Sequence, residues 1–237
     1  MKRPELIVML TQNDRTVENA AAVYEACRNA KAAYWGFKEV GLPLPEMQKL
    51  FAQMRADGKR TALEVVTYTE AEGLAGARMA AACGCDLLMG TMFSDEISRF
   101  CADQGLAYLP FVGRITGRPS VLSGSLAEMV DEARAALASG AAGIDLLGYR
   151  YVGDAAKLNR DFVAALDAPV VLAGSVNSLA RLDQVREANP WGFTIGSAFF
   201  EGNQGHGQGQ EFPVQIHRRA CQVGQNGKAV QTQHLLQ

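Results

Sequence analysis

Pro169-Val-Val-Leu-Ala-Gly-Ser175 and, about twenty residues on, Trp191-Gly-Phe-Thr-Ile-Gly-Ser-Ala-Phe-Phe-Glu-Gly202 are two apolar runs that each break into Gly-Ser. A helix-like segment, Ser178 to Glu187, separates them, so the unit reads as strand, glycine turn, helix, strand, glycine turn. That order builds a phosphate cup. Backbone that must approach a phosphate needs residues without bulk, here Gly174 and Gly196, and amides left free to donate at a helix start. Ser175 and Ser197 complete the expected phosphate-binding set. In a (β/α)8 barrel such a cup is made by the loops after the seventh and eighth strands, which requires six more strands upstream.

Six such runs are present. The eight apolar runs are Leu6–Leu10, Tyr34–Phe37, Ala62–Val66, Asp86–Met89, Ala107–Val112, Ile144–Leu147, Val170–Ala173 and Phe193–Ile195, starting roughly 21 to 37 residues apart. Between them, Val17–Asn29, Pro45–Asp57, Glu70–Ala82, Leu126–Ser139, Ala155–Leu166 and Arg181–Asn189 carry helical periodicity. Thr69, Ser125 with Glu128 three residues on, and Ser178 stand where N-caps belong. The strands are apolar on both faces, as in a parallel sheet covered by helices outside and packed within. Alternating strands and helices predict an α/β fold, and eight units in about two hundred residues favour a single closed TIM barrel over an open doubly wound sheet.

The chain of 237 residues, 48% of them hydrophobic, suffices for one such domain with a sizeable core. Residues 1–223 are assigned to it. Residues 224–237 form a polar, Gln-rich tail expected to be disordered and flexible, because it offers little apolar surface to bury. A formal net charge of −2 and a pI near 6.0 give no footprint for nucleic acid. The N-terminal apolar run is too short for a signal segment or membrane span, so a cytoplasmic protein without a membrane partner is expected. The five cysteines read as reduced, structural thiols, Cys83-Gly-Cys85 included. His206, His217 and His234 have no metal-site spacing. No metal and no cofactor are expected; a homo-oligomer is left open.

The strand-seven and strand-eight pair resembles the phosphate loops of the ribulose-phosphate-binding barrels, nearest to the histidine-biosynthesis isomerases. In those, the eighth strand similarly runs into a glycine, a small alanine-containing turn and an acidic-glycine pair. The resemblance covers roughly the last quarter of the barrel and implies a phosphorylated ligand. Those isomerases also carry aspartates at the ends of strands one and five and a second glycine-rich loop after strand three. Here strand one leads into Thr11-Gln-Asn-Asp14, strand five into Val112-Gly-Arg-Ile-Thr without an acid, and strand three into Val66-Thr-Tyr68 without glycine. A smaller ligand with one phosphate fits this pattern better.

Catalytic groups in such barrels sit at the C-terminal strand ends. Lys38 ends strand two, either leaning over the mouth or solvated. Glu64 lies inside Thr-Ala-Leu-Glu-Val-Val, where a buried carboxylate must be paired or protonated. Lys38 belongs to the neighbouring strand and can pair with it, structurally or as a catalytic couple. After strand six, Arg150 offers a fork for a carboxylate or phosphate and Tyr149 a phenol for a developing enolate oxygen; the alternative is rim packing. Asp14 either caps the first helix or reaches the site, and Thr91 either touches ligand or serves its turn. Arg114 and Arg118 read as loop surface, with closure of that loop over a ligand left open, while Asp86 and Asp145, taken to open strands four and six, read as structural.

The chemistry expected of Lys38, Glu64 and Tyr149 is proton transfer beside a carbonyl, isomerising or epimerising a small monophosphorylated metabolite of sugar-phosphate type. A Schiff-base aldolase or decarboxylase using Lys38, and a barrel that binds such a metabolite without turnover, are the alternatives.

Overall fold

The computed structural model describes residues 4–200. Its eight parallel strands are β1 (Glu5–Met9), β2 (Tyr34–Lys38), β3 (Arg60–Val65), β4 (Leu87–Met92), β5 (Ala107–Phe111), β6 (Ile144–Leu146), β7 (Val170–Leu172) and β8 (Gly192–Ile195). Each pairs with its neighbours in chain order, and β1 pairs with both β2 and β8, closing the barrel. Among the described residues seven helices cover it: α1 (Ala20–Cys27), α2 (Leu44–Ala56), α3 (Glu70–Ala82), α4 (Asp95–Gln104), α5 (Leu126–Ala138), α6 (Ala155–Ala164) and α7 (Leu179–Ala188). The predicted caps are in place, with Thr69 and Ser178 accepting from backbone amides and Ser125 closing a capping box with Glu128. The α/β fold and the closed barrel are therefore as expected. The calls on Gly202 onward, including the tail and its boundary at residue 223, lie outside the described residues.

Three elements differ from the sequence reading. Helix α4 was missed although Ile97, Phe100 and Cys101 stand at helical spacing and turn one face to the core. Its ends were marked: Ser94 accepts from Glu96 and Ile97, and Gly105 closes it at φ 65°. The loops after β1 and β5 each fold into a small antiparallel hairpin, pairing Thr11–Gln12 with Arg15–Thr16 and Arg114–Thr116 with Val121–Ser123. Asn13 and Asp14 turn the first at φ 50° and 62°, a conformation those two residue types tolerate.

Inside a barrel of this kind, inward side chains stack in layers of four from alternate strands. Following the registers round, Ile7, Ala62, Leu109 and Val171 make an apolar floor. Gly36, Met89, Asp145 and Thr194 make the next layer, and Glu64 with Met9 stands above it. Gly36 is required where it is, since a Cβ would overlap the Ala62 carbonyl and press Met9. The main core lies between strands and helices, with Phe37 stacked on Phe51 at 4.0 Å between β2 and α2. Among the described residues no helix is long and apolar enough to cross a membrane.

Candidate active site

Lys38 is the last residue of β2 and lies in register with Glu64 of β3, so both side chains rise from neighbouring strands toward the C-terminal mouth. Both are buried. The hairpin after β1 brings Asp14 over them. It is fastened by Thr16, whose Oγ1 donates to the Lys38 carbonyl at 2.8 Å and accepts from the Lys38 amide at 3.0 Å. The Lys38 ammonium then donates to Asp14 Oδ1 at 2.6 Å and stands 3.6 Å from Glu64 Oε2. The tight partner is Asp14; Glu64 is the looser one.

Burial alone pulls Lys38 toward its neutral form, but Glu64 and Asp14 outweigh it and hold the ammonium above the usual lysine range. For Asp14 burial pushes the carboxyl up, yet Lys38, with Arg150 and Arg118 further off, brings it below the usual aspartate range. For Glu64 burial wins over the more distant Lys38, and Asp14 and Glu39 add repulsion, so its carboxyl is raised. The trio thus joins a lysine and an aspartate that favour their charged forms to one carboxyl that favours its neutral form.

These three line a cavity of about 670 Å³ together with Thr11, Arg118, Arg150 and Thr194. The same cavity is lined by Gly174, Ser175, Gly196 and Ser197, the four expected phosphate-binding residues. Gly174 and Ser175 take φ of 83° and 62°, and a 3-10 turn, Ser197–Phe199, follows Gly196. The first amides of that turn have no carbonyl partner within it. Arg181 ties the Ser175 carbonyl and also donates to Asn177 Oδ1 at 3.1 Å. The glycines are needed for more than ligand approach: a Cβ on Gly174 would lie 2.6 Å from Arg150 Cγ, and one on Gly196 would overlap Thr11 Oγ1. Arg150 therefore lies directly against the cup.

Two expected site residues are elsewhere. Tyr149, expected to assist catalysis, is buried behind the cup, with its hydroxyl donating to the Arg181 carbonyl at 3.1 Å and its ring 5.2 Å from the Arg181 guanidinium. Burial pushes that phenol up to about 12, and it does not line the cavity. Thr91, expected to bind ligand, sits at φ 63°, wholly buried, with its hydroxyl 2.6 Å from the Tyr108 hydroxyl; it too is outside the cavity.

Two further residues complete the picture. Arg118 is exposed in the hairpin loop after β5, as read, and from there also lines the cavity, donating to the Val66 carbonyl at 2.5 Å, with Glu39 Oε1 at 3.5 Å. Asp145 does not open its strand but stands at the centre of β6, fully buried. The signal was the one that singled out Glu64, a charge flanked by Ile144 and Leu146 in an apolar strand. Asp86 is structural as expected, accepting from the Thr61 amide at 2.7 Å at the N-terminal end of β3. Among the described residues no group of three or more His, Cys, Asp or Glu is placed to hold a metal ion.

No family model and no curated protein matches the chain. Solved structures do. A tryptophan synthase from M. tuberculosis, in an open form with a bound compound, is 16% identical with a TM-score of 0.64 over 94% of both chains. A native KDPGal structure is 19% identical with a TM-score of 0.63, covering 94% of this chain and 97% of the other. A 4-hydroxy-2-oxoglutarate/2-dehydro-3-deoxyphosphogluconate aldolase is 14% identical with a TM-score of 0.59, covering 92% and 94%. At such identities these likenesses show the shared barrel fold. Nearness to the histidine-biosynthesis isomerases in particular is not among them.

Proposed function

We propose that the chain is an enzyme that forms and reprotonates an enolate on a small carbonyl compound carrying one phosphate, isomerising or epimerising it. The observation that carries this reading is the unequal sharing of Lys38: its ammonium is locked to Asp14 at 2.6 Å, which leaves Glu64 at 3.6 Å as the carboxyl free to exchange a proton. Glu64 takes the proton beside the carbonyl and returns it at the neighbouring or opposite position. Lys38 stabilises the oxygen on which negative charge develops, in a site where burial strengthens the interaction. The phosphate end lies in the cup formed by Gly174, Ser175, Gly196 and Ser197, with Arg150 beside it as a planar cation suited to a phosphate. A cavity of about 670 Å³ accommodates a ligand of several carbons as well as its phosphate.

The aldolases among the fold neighbours support a second reading, in which the Lys38 amine adds to the carbonyl and the enolate arises by carbon–carbon cleavage. The two carboxylates around Lys38 speak against it at rest, because they favour the ammonium over the nucleophilic amine. A third reading, binding without turnover, is disfavoured by the buried Lys38–Glu64 pair, which phosphate capture does not need. Borohydride reduction in the presence of phosphorylated aldoses, ketoses and 2-keto acids separates the first two. We expect no covalent adduct at Lys38 by mass spectrometry. An adduct lost in Lys38→Arg would replace the isomerase reading by the lyase one.

A further inference from the structure

Asp145 is fully buried in the barrel, and neither of its carboxyl oxygens has a hydrogen-bond partner among the described residues. It shares its layer with Gly36, Met89 and Thr194, above the floor of Ile7, Ala62, Leu109 and Val171 and directly beneath the layer of Glu64. An unpaired acid there destabilises the fold, a cost that a valine at the same place would avoid. Burial, with Glu64 adding repulsion, pushes its carboxyl well above the usual aspartate range. The barrel therefore keeps a neutral acid, its O–H unspent, one layer below the proton-exchanging carboxyl.

In the proposed reaction Glu64 must be a carboxylate before it takes the substrate's proton, when Lys38 has already turned to the ligand's carbonyl oxygen. A buried charge deserted by its partner is costly. We propose that Asp145 is a positioning residue for Glu64: its O–H donates to the Glu64 carboxylate from below whenever that carboxylate is formed, and the proton stays on Asp145. This rests on the reading of Glu64 as the proton-transfer group. The ionisable groups acting on Glu64 are Lys38 and Glu39 from β2 and its end, Asp14 from the hairpin after β1, and Asp145 from β6. The other inward neighbours in the layer below, Gly36, Met89 and Thr194, carry none.

The test needs no ligand. Carbon-13 NMR on the full chain with labelled carboxyls would follow Glu64 through a pH titration in the wild type, Asp145→Asn and Asp145→Val. Loss of the donor in Asp145→Val should raise the Glu64 midpoint by about one pH unit, a tenfold change in proton affinity. Asp145→Asn, whose amide can still donate, should stay near the wild type. Asp145→Ala, which adds no bulk, replaces Asp145→Val if that variant does not fold. An unchanged Glu64 midpoint in the apolar variant would make Asp145 a structural residue only. A lowered midpoint would show that Asp145 carries charge, and either result overturns the proposal. Neither touches the assignment of Glu64 itself, which stands or falls by proton exchange into substrate.

Discussion

Replacing Lys38 with methionine is expected to cost the fold about 3 kcal/mol, the largest effect of any single change in the barrel mouth. The variant leaves Asp14 and Glu64 without the cation that both face. Removing one partner of a buried ion pair costs about 3–5 kcal/mol, and the low end applies because Glu64 can relieve part of the loss by holding a proton. Urea unfolding at neutral pH measures it. Adding Asp14→Asn to Lys38→Met should recover most of the deficit; a loss below about 1 kcal/mol would mean that the cluster is solvated and loosely held.

The same groups set the pH dependence. Asp14 titrates lower in the folded protein than in the unfolded chain, so its contribution is present above the ordinary aspartate range and is lost as pH falls through its folded value. Glu64 and Asp145 titrate higher when folded. Their contribution is fully present below the ordinary carboxylate range and declines as pH rises toward their folded values. Lys38, also raised, contributes below the ordinary lysine value and fails only as pH climbs through its own folded one.

The second large effect belongs to the cup. Arg150 lies against Gly174 and lines the cavity, and among the described residues its guanidinium has no hydrogen bond or ion pair, which leaves it available to a ligand. A hydrogen bond between charged groups is worth about 1.5–3 kcal/mol, so Arg150→Ala should weaken binding of inorganic phosphate roughly tenfold to a hundredfold. Calorimetric titration reads this directly. Arg150→Ala is a cleaner probe than a bulky residue at Gly196, because a side chain at Gly196 would push on Thr11 and the hairpin that carries Asp14. Equal phosphate affinity in wild type and Arg150→Ala would place the anion elsewhere.

The barrel was legible because its signals are local and repeated: apolar runs at even spacing, caps before helices, and Gly-Ser at the ends of strands seven and eight. The Lys38–Glu64 pair was legible for a related reason, since neighbouring parallel strands place equivalent positions side by side. What the sequence hid was three-dimensional. Tyr149 and Arg150 are adjacent in the chain, yet one turn of 3-10 helix, Gly148–Arg150, sends the phenol behind the cup and the guanidinium into the cavity. Arg118 enters the site only because its loop folds as a hairpin and reaches the Val66 carbonyl. Asp145 was taken to open strand six although the run was read from Ile144; as its second residue it stands mid-strand and fills the barrel.

The central claim is proton exchange through Glu64, and the most direct measurement is solvent exchange. The protein is incubated in deuterium oxide with phosphorylated aldoses, ketoses and 2-keto acids, and each compound is weighed by mass spectrometry. The account predicts that at least one gains a single deuterium beside its carbonyl with the wild type, and that Glu64→Gln, which keeps the shape but not the base, abolishes the gain. Exchange that persists undiminished in folded Glu64→Gln, or its absence from every compound that binds to the wild type, would contradict the account.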